Sequence, residues 1–205
     1  FANCLSSEMY ELREDERLAI TKHVVDAANG RVPVVATGTF GGPIAEQAEF
    51  VKKIYATGIQ AVIVITSLIA TAEESDEVFM ARMHELLSLT PGVSFGLYEC
   101  PVPYKRLVTA ENLGELAATG RVIYHKDTSL DIENVKAKIA ATQGHVFGVY
   151  DAYMEHAAAS LKAGSAGLSC IQGNFFPEVI VWLCNNYNNP EQQAGVEKVQ
   201  QLLID

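Results

Sequence analysis

Short apolar runs alternate with longer amphipathic segments along the whole chain. The apolar runs begin at residues 1, 32, 61, 94, 122, 145 and 167, so neighbouring starts lie 22 to 33 residues apart. That spacing is typical of one β-strand followed by one α-helix, and repeated units of this kind build a parallel sheet covered by helices. The alternation therefore predicts an α/β fold. We expect strands over 1–5, 32–37, 61–66, 94–100, 122–127, 145–150 and 167–172, and helices over 14–29, 43–57, 72–89, 109–119, 130–142, 151–163, 178–186 and 190–205.

The lack of a nucleotide-binding fingerprint favours a closed barrel over an open sheet. No Gly-x-Gly-x-x-Gly sequence follows any of the seven runs, whereas open sheets that bind dinucleotides carry it after the first strand. A (β/α)8 barrel typically takes about 250 residues, and this chain has 205. We therefore expect a (β/α)8 TIM barrel forming a single domain over 1–205. The count of seven strands predicts that the first strand, some flanking helix and C-terminal helices lie outside the given sequence.

The charge and hydropathy of the chain disfavour two classes of partner. The formal net charge is −10 at pH 7, which disfavours binding to nucleic acid or to an anionic membrane surface. The longest apolar stretch, residues 61–70, is too short to span a bilayer. No secretory signal is visible, so we expect a cytoplasmic protein.

The spacing of cysteine and histidine argues against a metal centre. The four cysteines form no Cys-x-x-Cys pair, and the five histidines form no His-x-x-x-His pair. We therefore predict reduced buried thiols at Cys4, Cys100, Cys170 and Cys184, with no bound metal and no cofactor.

A lysine lies near the end of the predicted strand 122–127. In a parallel barrel the active site lies at the carboxyl ends of the strands. Strand alternation puts Val122, Tyr124 and Lys126 on one face, so all three point into the barrel if Lys126 does. Tyr98 ends the preceding predicted strand and would reach the same mouth of the barrel. Desolvation favours the neutral amine of a lysine, which can attack a carbonyl and form a Schiff base. A tyrosine hydroxyl can carry the protons of that reaction.

Both residues also have purely structural explanations. Lys126 could extend to solvent along its apolar stem or pair with Asp127, and Tyr98 could be a core aromatic whose hydroxyl is satisfied. Two glycine-rich segments, 38–43 and 162–174, could bind phosphate or simply form turns beside the site. The residues alone therefore leave open a Schiff-base enzyme, a phosphate-binding barrel enzyme and a structural lysine.

Five segments in order along the chain resemble the dihydrodipicolinate synthase / N-acetylneuraminate lyase family of class I aldolases. They are LSSEMYELREDERLAI (5–20), GRVPVVATGT (30–39), YECP (98–101), YHKDTS (124–129) and VYDAYMEHAAASLKAGSAGLSCIQGNFFPEV (149–179). The fourth resembles the segment that carries the family's Schiff-base lysine, and the fifth resembles its seventh and eighth strands. The likeness begins at what would be the family's second strand.

The resemblance implies a lyase or aldolase in which Lys126 forms a Schiff base with pyruvate or another 2-oxo acid. Such an enzyme makes or breaks a carbon–carbon bond, or eliminates water. Tyr98 would be the proton shuttle, and Ser6 and Ser7 would hold the substrate carboxylate at the start of the following helix. Glu155 and Ile171 would contact the aldehyde or sugar-acid half. The resemblance also implies a homo-oligomer, a tetramer or a dimer, that needs no cofactor.

The chain departs from the family at several positions near the substrate. Cys4 and Leu5 stand where the family has glycine and a hydroxyl residue, and residues 67–69 replace its Pro-Tyr-Tyr. Both partners of a relay that carries protons to the catalytic tyrosine are thus replaced. Ala152 and Met154 replace a glycine and an acid that contact sialic acid. These departures argue against dihydrodipicolinate synthase activity and against a sialic-acid substrate, and they suggest a non-catalytic relative that binds 2-oxo acids as an alternative.

Overall fold

The computed structural model describes residues 1–204, which form six β-strands and eight α-helices. Each strand is followed by a helix, so the predicted α/β class is confirmed. Within this part of the chain, none of the helices combines the length and hydropathy that a membrane span requires. The strands are β1 (Val35–Thr37), β2 (Ala61–Ile65), β3 (Phe95–Tyr98), β4 (Val122–Asp127), β5 (Gly148–Asp151) and β6 (Gly167–Leu168). The helices are α1 (Glu14–Ala28), α2 (Ile44–Tyr55), α3 (Asp76–Leu89), α4 (Ala110–Ala118), α5 (Ile132–Ala141), α6 (Ala157–Ala163), α7 (Pro177–Asn186) and α8 (Gln193–Ile204).

The chain divides into two compact units. Unit 1 comprises residues 1–108 and 119–123, and unit 2 comprises residues 109–118 and those from 124 onward. Strand β4 begins in unit 1 and ends in unit 2. The parallel strands within each unit are consistent with part of a (β/α)8 fold. A single domain and a complete eight-stranded barrel stay predictions.

Unit 1 contains the parallel strands β1, β2 and β3, which are hydrogen-bonded in that order. All five residues of β2 are buried, as expected for a strand of a parallel sheet covered on both faces. Gly38 follows β1, and a Cβ atom at this position would lie 2.2 Å from Cγ1 of Val62. Only glycine therefore permits this close approach of the first βα turn to β2.

The expectation of a strand over residues 1–5 is wrong. Ala2 alone pairs, in an isolated parallel bridge with Ala36. The next residue, Asn3, has φ +51°, a left-handed conformation that asparagine tolerates and that ends an extended chain. The Asn3 side chain holds this bend because its amide donates to Thr21 Oγ1 at 2.7 Å.

Unit 2 contains the parallel strands β4, β5 and β6, with Lys126 opposite Tyr150 and Tyr150 opposite Gly167. Strand β6 has only two residues and is shorter than the predicted 167–172, because the chain turns into a 3-10 helix over Ile171–Asn174. Helix α6 ends at Ala163, and the next residue, Gly164, has φ +105°, a left-handed conformation that glycine adopts readily after the last turn of a helix. The side chains of α6, α7 and α8 pack in one apolar cluster that includes Leu161, Leu183 and Val196.

Candidate functional site

Lys126 lies near the carboxyl end of β4 with only 7% of its surface exposed. The contacts of its neighbours show which side chains of β4 lie on the same face. Asp127 points towards α5, where Lys138 Nζ lies 2.6 Å from its Oδ2, whereas the Tyr124 hydroxyl donates to Ser169 Oγ at 3.0 Å. Alternation places Lys126 on the face of Tyr124, opposite to Asp127. Because only 7% of the Lys126 surface is exposed, most of the side chain lies inside the protein.

The ion pair between Asp127 and Lys138 is fully buried, since both side chains are 0% exposed. Ser129 adds two hydrogen bonds to Asp127 Oδ1, from its backbone N–H at 2.8 Å and from its hydroxyl at 2.6 Å. Burial alone would raise the pKa of Asp127, but the interaction with His125, whose Nε2 lies 3.7 Å from Oδ2, and the charge of Lys138 outweigh it and hold the pKa below its usual range. Asp127 is therefore an anion whose charge is balanced on the helix side of β4.

Two tyrosines cover part of the face that carries Lys126. The rings of Tyr124 and Tyr150 stack with centroids 4.6 Å apart. Glycines make room for them, because a Cβ atom at Gly148 would lie 2.8 Å from the Tyr150 ring and one at Gly167 would lie 3.2 Å from it. The face beside the lysine is thus aromatic and rigidly packed.

Tyr98 ends β3 in unit 1, with 4% of its surface exposed. Its hydroxyl forms side-chain hydrogen bonds with the thiols of Cys100 and Cys4. The ring of Phe1 meets the Tyr98 ring edge-on at 5.9 Å. Burial raises the pKa of Tyr98 above its ordinary value, and the two thiols raise it further. The phenol is therefore protonated at neutral pH.

Ser6 and Ser7 lie in unit 1, in a single 3-10 turn directly after Cys4, and both are exposed. The Ser7 hydroxyl donates to the Cys4 carbonyl at 2.8 Å. The predicted helix 14–29 is confirmed, but Ser6 and Ser7 lie before its first turn, so the expected position of the serines at the start of that helix is wrong. Helix α1 begins at Glu14, where the Arg13 N–H donates to Glu16 Oε2 at 2.9 Å and caps the first turn. Binding of a carboxylate at Ser6 and Ser7 would therefore depend on the groups of this 3-10 turn and not on the N-terminus of α1.

Glu155 and Ile171 both line one cavity of unit 2, with a volume of about 350 Å³. Tyr153 and Phe175 line it as well, and the Tyr153 hydroxyl bonds to Glu155, which raises the pKa of Tyr153. The structure therefore brings these two predicted residues together. Tyr98, Ser6 and Ser7 belong to unit 1 and Lys126 belongs to unit 2, so the predicted pairing of Lys126 with Tyr98 stays a prediction.

Sequence reasoning missed the groups that surround the two central residues. The sequence predicts an ordinary buried thiol at Cys100, although this residue follows Tyr98 by two positions at a strand end, where functional groups are expected. The sequence also predicts a helix over 130–142, which contains Lys138, but it gives that lysine no role. Lys138 lies three residues after Val135 and four before Thr142, and all three are buried. That helical spacing was the available signal of a core-facing lysine.

Comparison with known proteins places the whole chain in one family. Residues 1–205 match the dihydrodipicolinate synthetase family. The 4-hydroxy-tetrahydrodipicolinate synthase of Marinobacter nauticus is 25% identical over 179 residues, covering 87% of this chain and 60% of that enzyme. A putative 2-dehydro-3-deoxy-D-gluconate aldolase of Escherichia coli, YagE, is 26% identical over 200 residues, covering 96% of this chain and 65% of YagE. The chain thus spans about three fifths of the length of these curated relatives.

Solved structures share the fold. The crystal structure of E. coli YagE in complex with pyruvate superposes with a TM-score of 0.84 at 23% identity, covering 99% of this chain and 67% of YagE. A dihydrodipicolinate synthase described as a monomeric variant gives a TM-score of 0.87 at 18% identity, with the same coverage. The match over every residue and the shared fold lead to one conclusion: the chain belongs to the dihydrodipicolinate synthetase family.

Proposed function

We propose that this protein is a lyase of the class I aldolase type, which forms a Schiff base between Lys126 and pyruvate or a related 2-oxo acid. The observation that carries the proposal is the burial of Lys126 near the carboxyl end of β4. The adjacent carboxylate, which could otherwise fix Lys126 as an ammonium, is engaged by Lys138 on the opposite face of the strand. Family membership and the pyruvate complex of YagE support the same chemistry.

The reaction would begin when the neutral amine of Lys126 attacks the carbonyl carbon of the 2-oxo acid. Loss of water from the carbinolamine gives an iminium, which withdraws electrons from the neighbouring carbon. A carbon–carbon bond at that carbon can then be made or broken, or water can be eliminated beyond it. Tyr98 would move the protons, and Ser6 and Ser7 would bind the carboxylate.

The distal half of the substrate would lie in the cavity that Glu155 and Ile171 line. The Glu155 carboxylate can accept hydrogen bonds from hydroxyl groups of the substrate. The apolar side chains of Ile171 and Phe175 suit the carbon chain that carries those hydroxyl groups. We therefore favour a hydroxylated 2-oxo acid as substrate, cleaved to pyruvate and an aldehyde. The similarity to a putative 2-dehydro-3-deoxy-D-gluconate aldolase supports this choice. A homo-oligomer stays a prediction.

Borohydride reduction tests the proposal. Borohydride added in the presence of pyruvate should convert the iminium into a stable amine, so the protein should gain the mass of the reduced adduct. A panel of 2-oxo acids that leaves the mass unchanged would contradict the proposal. If pyruvate raised the melting temperature equally in the wild type and in Lys126→Ala without any trapping, the non-catalytic alternative would stand.

Replacing Tyr98 with phenylalanine is expected to lower kcat by roughly 10²- to 10⁴-fold, because a positioned acid–base group contributes about that factor. The ring and its contact with Phe1 would remain, so the fold should not change. Steady-state release of pyruvate from a 4-hydroxy-2-oxo acid measures the effect. Wild-type turnover in Tyr98→Phe would show that another group moves the protons.

A further inference from the structure

The surroundings of the Tyr98 hydroxyl form a hydrogen-bonded path that leads away from the buried phenol. Tyr98 bonds to the thiol of Cys100, and Cys100 is 0% exposed. Cys100 Sγ also lies 3.9 Å from the hydroxyl oxygen of Tyr10, within hydrogen-bond range for sulfur. The Tyr10 hydroxyl is 2.8 Å from the Val102 carbonyl. One thiol therefore connects two phenols.

The Val102 carbonyl fixes the direction of this path. A carbonyl oxygen only accepts, so the Tyr10 proton points to Val102 at 2.8 Å. The Tyr10 oxygen is then left to accept from the Cys100 S–H, and the sulfur is left to accept from the Tyr98 O–H. Tyr10 is only partly buried, so its end of the path can exchange protons with water.

We propose that Cys100 and Tyr10 form the proton relay that serves Tyr98. The relay deepens the proposed Schiff-base function and rests on it. The relay hydroxyls that the resemblance implies are replaced in this chain at Leu5 and at residues 67–69. Cys100 and Tyr10 lie at other positions, and the proposal gives them this chemical role.

One cycle of the relay moves one proton and no electrons. The Tyr98 O–H proton passes to Cys100 Sγ while the Cys100 S–H proton passes to the Tyr10 oxygen. The Tyr10 O–H turns from the Val102 carbonyl to water and releases its proton there. The Tyr98 phenolate can then take a proton from the carbon next to the iminium, which gives the enamine. Burial raises the pKa of the Cys100 thiol as well as the pKa of both phenols, so all three groups are protonated at rest.

Hydrogen–deuterium exchange at the methyl group of pyruvate isolates this step. Cys100→Ala and Tyr10→Phe are expected to slow the exchange about 10- to 100-fold, since each breaks the path. Cys100→Ser keeps a group that donates and accepts, and it should restore most of the rate. Borohydride trapping of pyruvate, allowed to run to completion, should still label all three variants, because each of them keeps Lys126. Cys184→Ala, in unit 2, controls for loss of a thiol elsewhere.

Three outcomes would overturn the relay. The first is wild-type exchange in both Cys100→Ala and Tyr10→Phe, with borohydride trapping intact. The second is slow exchange in Cys4→Ala combined with a normal rate in Cys100→Ala, which would assign the path to the other thiol beside Tyr98. The third is a Cys100→Ser variant as slow as Cys100→Ala. Failure of trapping in the wild type would instead overturn the Schiff-base function itself.

Discussion

Replacing Lys126 with methionine is expected to lower kcat/KM by on the order of 10³-fold or more, because the variant lacks the nucleophile that forms the iminium. Methionine has a similar length and fills the same buried space. It also removes an amine that is buried at 7% exposure, so the free energy of unfolding should be unchanged or slightly increased. The measurement is pyruvate release from a 4-hydroxy-2-oxo acid, together with urea unfolding.

Lys136→Met is the matched control for this substitution. Lys136 lies on α5, is exposed and pairs with Glu133 at 2.7 Å. Its replacement makes the same lysine-to-methionine change without touching the proposed site, so turnover should equal that of the wild type. A Lys126→Met protein that unfolds normally and still turns over substrate would show that the Schiff base forms elsewhere.

Lys138→Met is expected to lower the free energy of unfolding by about 3–5 kcal/mol, the usual cost of removing one partner of a buried ion pair. The loss arises because the Asp127 carboxylate would remain at 0% exposure without its cation. Lys136→Met on the same helix should change stability by less than about 0.5 kcal/mol, since exposed pairs contribute little. Urea unfolding of both variants at neutral pH makes the comparison. Equal losses of unfolding free energy in the two variants would show that the buried Asp127–Lys138 pair contributes no more than an exposed pair.

The pH dependence of the Lys138→Met effect follows from the low pKa of Asp127. A carboxyl whose folded pKa lies below its unfolded value stabilises the fold above the unfolded pKa of about 3.9, and that contribution is lost as the pH falls through the folded pKa. In Lys138→Met the pKa of Asp127 should rise, because burial is then opposed mainly by His125. The stability difference from the wild type should therefore be largest near neutral pH and should shrink below about pH 4. A difference that grows in acid would contradict this assignment.

The regular features of the fold could be predicted from the sequence, and the exceptions have local causes. Helix α5 and strand β4 lie where periodicity placed them, β4 with the predicted bounds. Residues 1–5 were apolar enough to read as a strand, but Asn3 bends the chain after a single bridge. Periodicity detects the apolar pattern of residues 1–5, but it cannot predict the left-handed conformation of Asn3, which a hydrogen bond to Thr21 holds in place.

From the residues alone, the site could be predicted only where strand alternation determines which face of a strand a side chain occupies. Alternation placed Tyr124 and Lys126 on one face, and the opposite contacts of Asp127 agree with it. The bond from Cys100 to Tyr10 joins residues ninety positions apart, and no local pattern predicts such a contact. The role of Glu155 depended on the family resemblance, because its cavity is built from segments that are distant in sequence.

Peptide mapping after borohydride reduction with pyruvate tests the central claim most directly. Two lysines are buried among the described residues of unit 2, Lys126 and Lys138, and the proposed function assigns the adduct to only one of them. Tandem mass spectrometry should find the reduced pyruvate adduct on Lys126 and an unmodified Lys138. An adduct on Lys138 or on any other lysine, with Lys126 unmodified, would contradict the account.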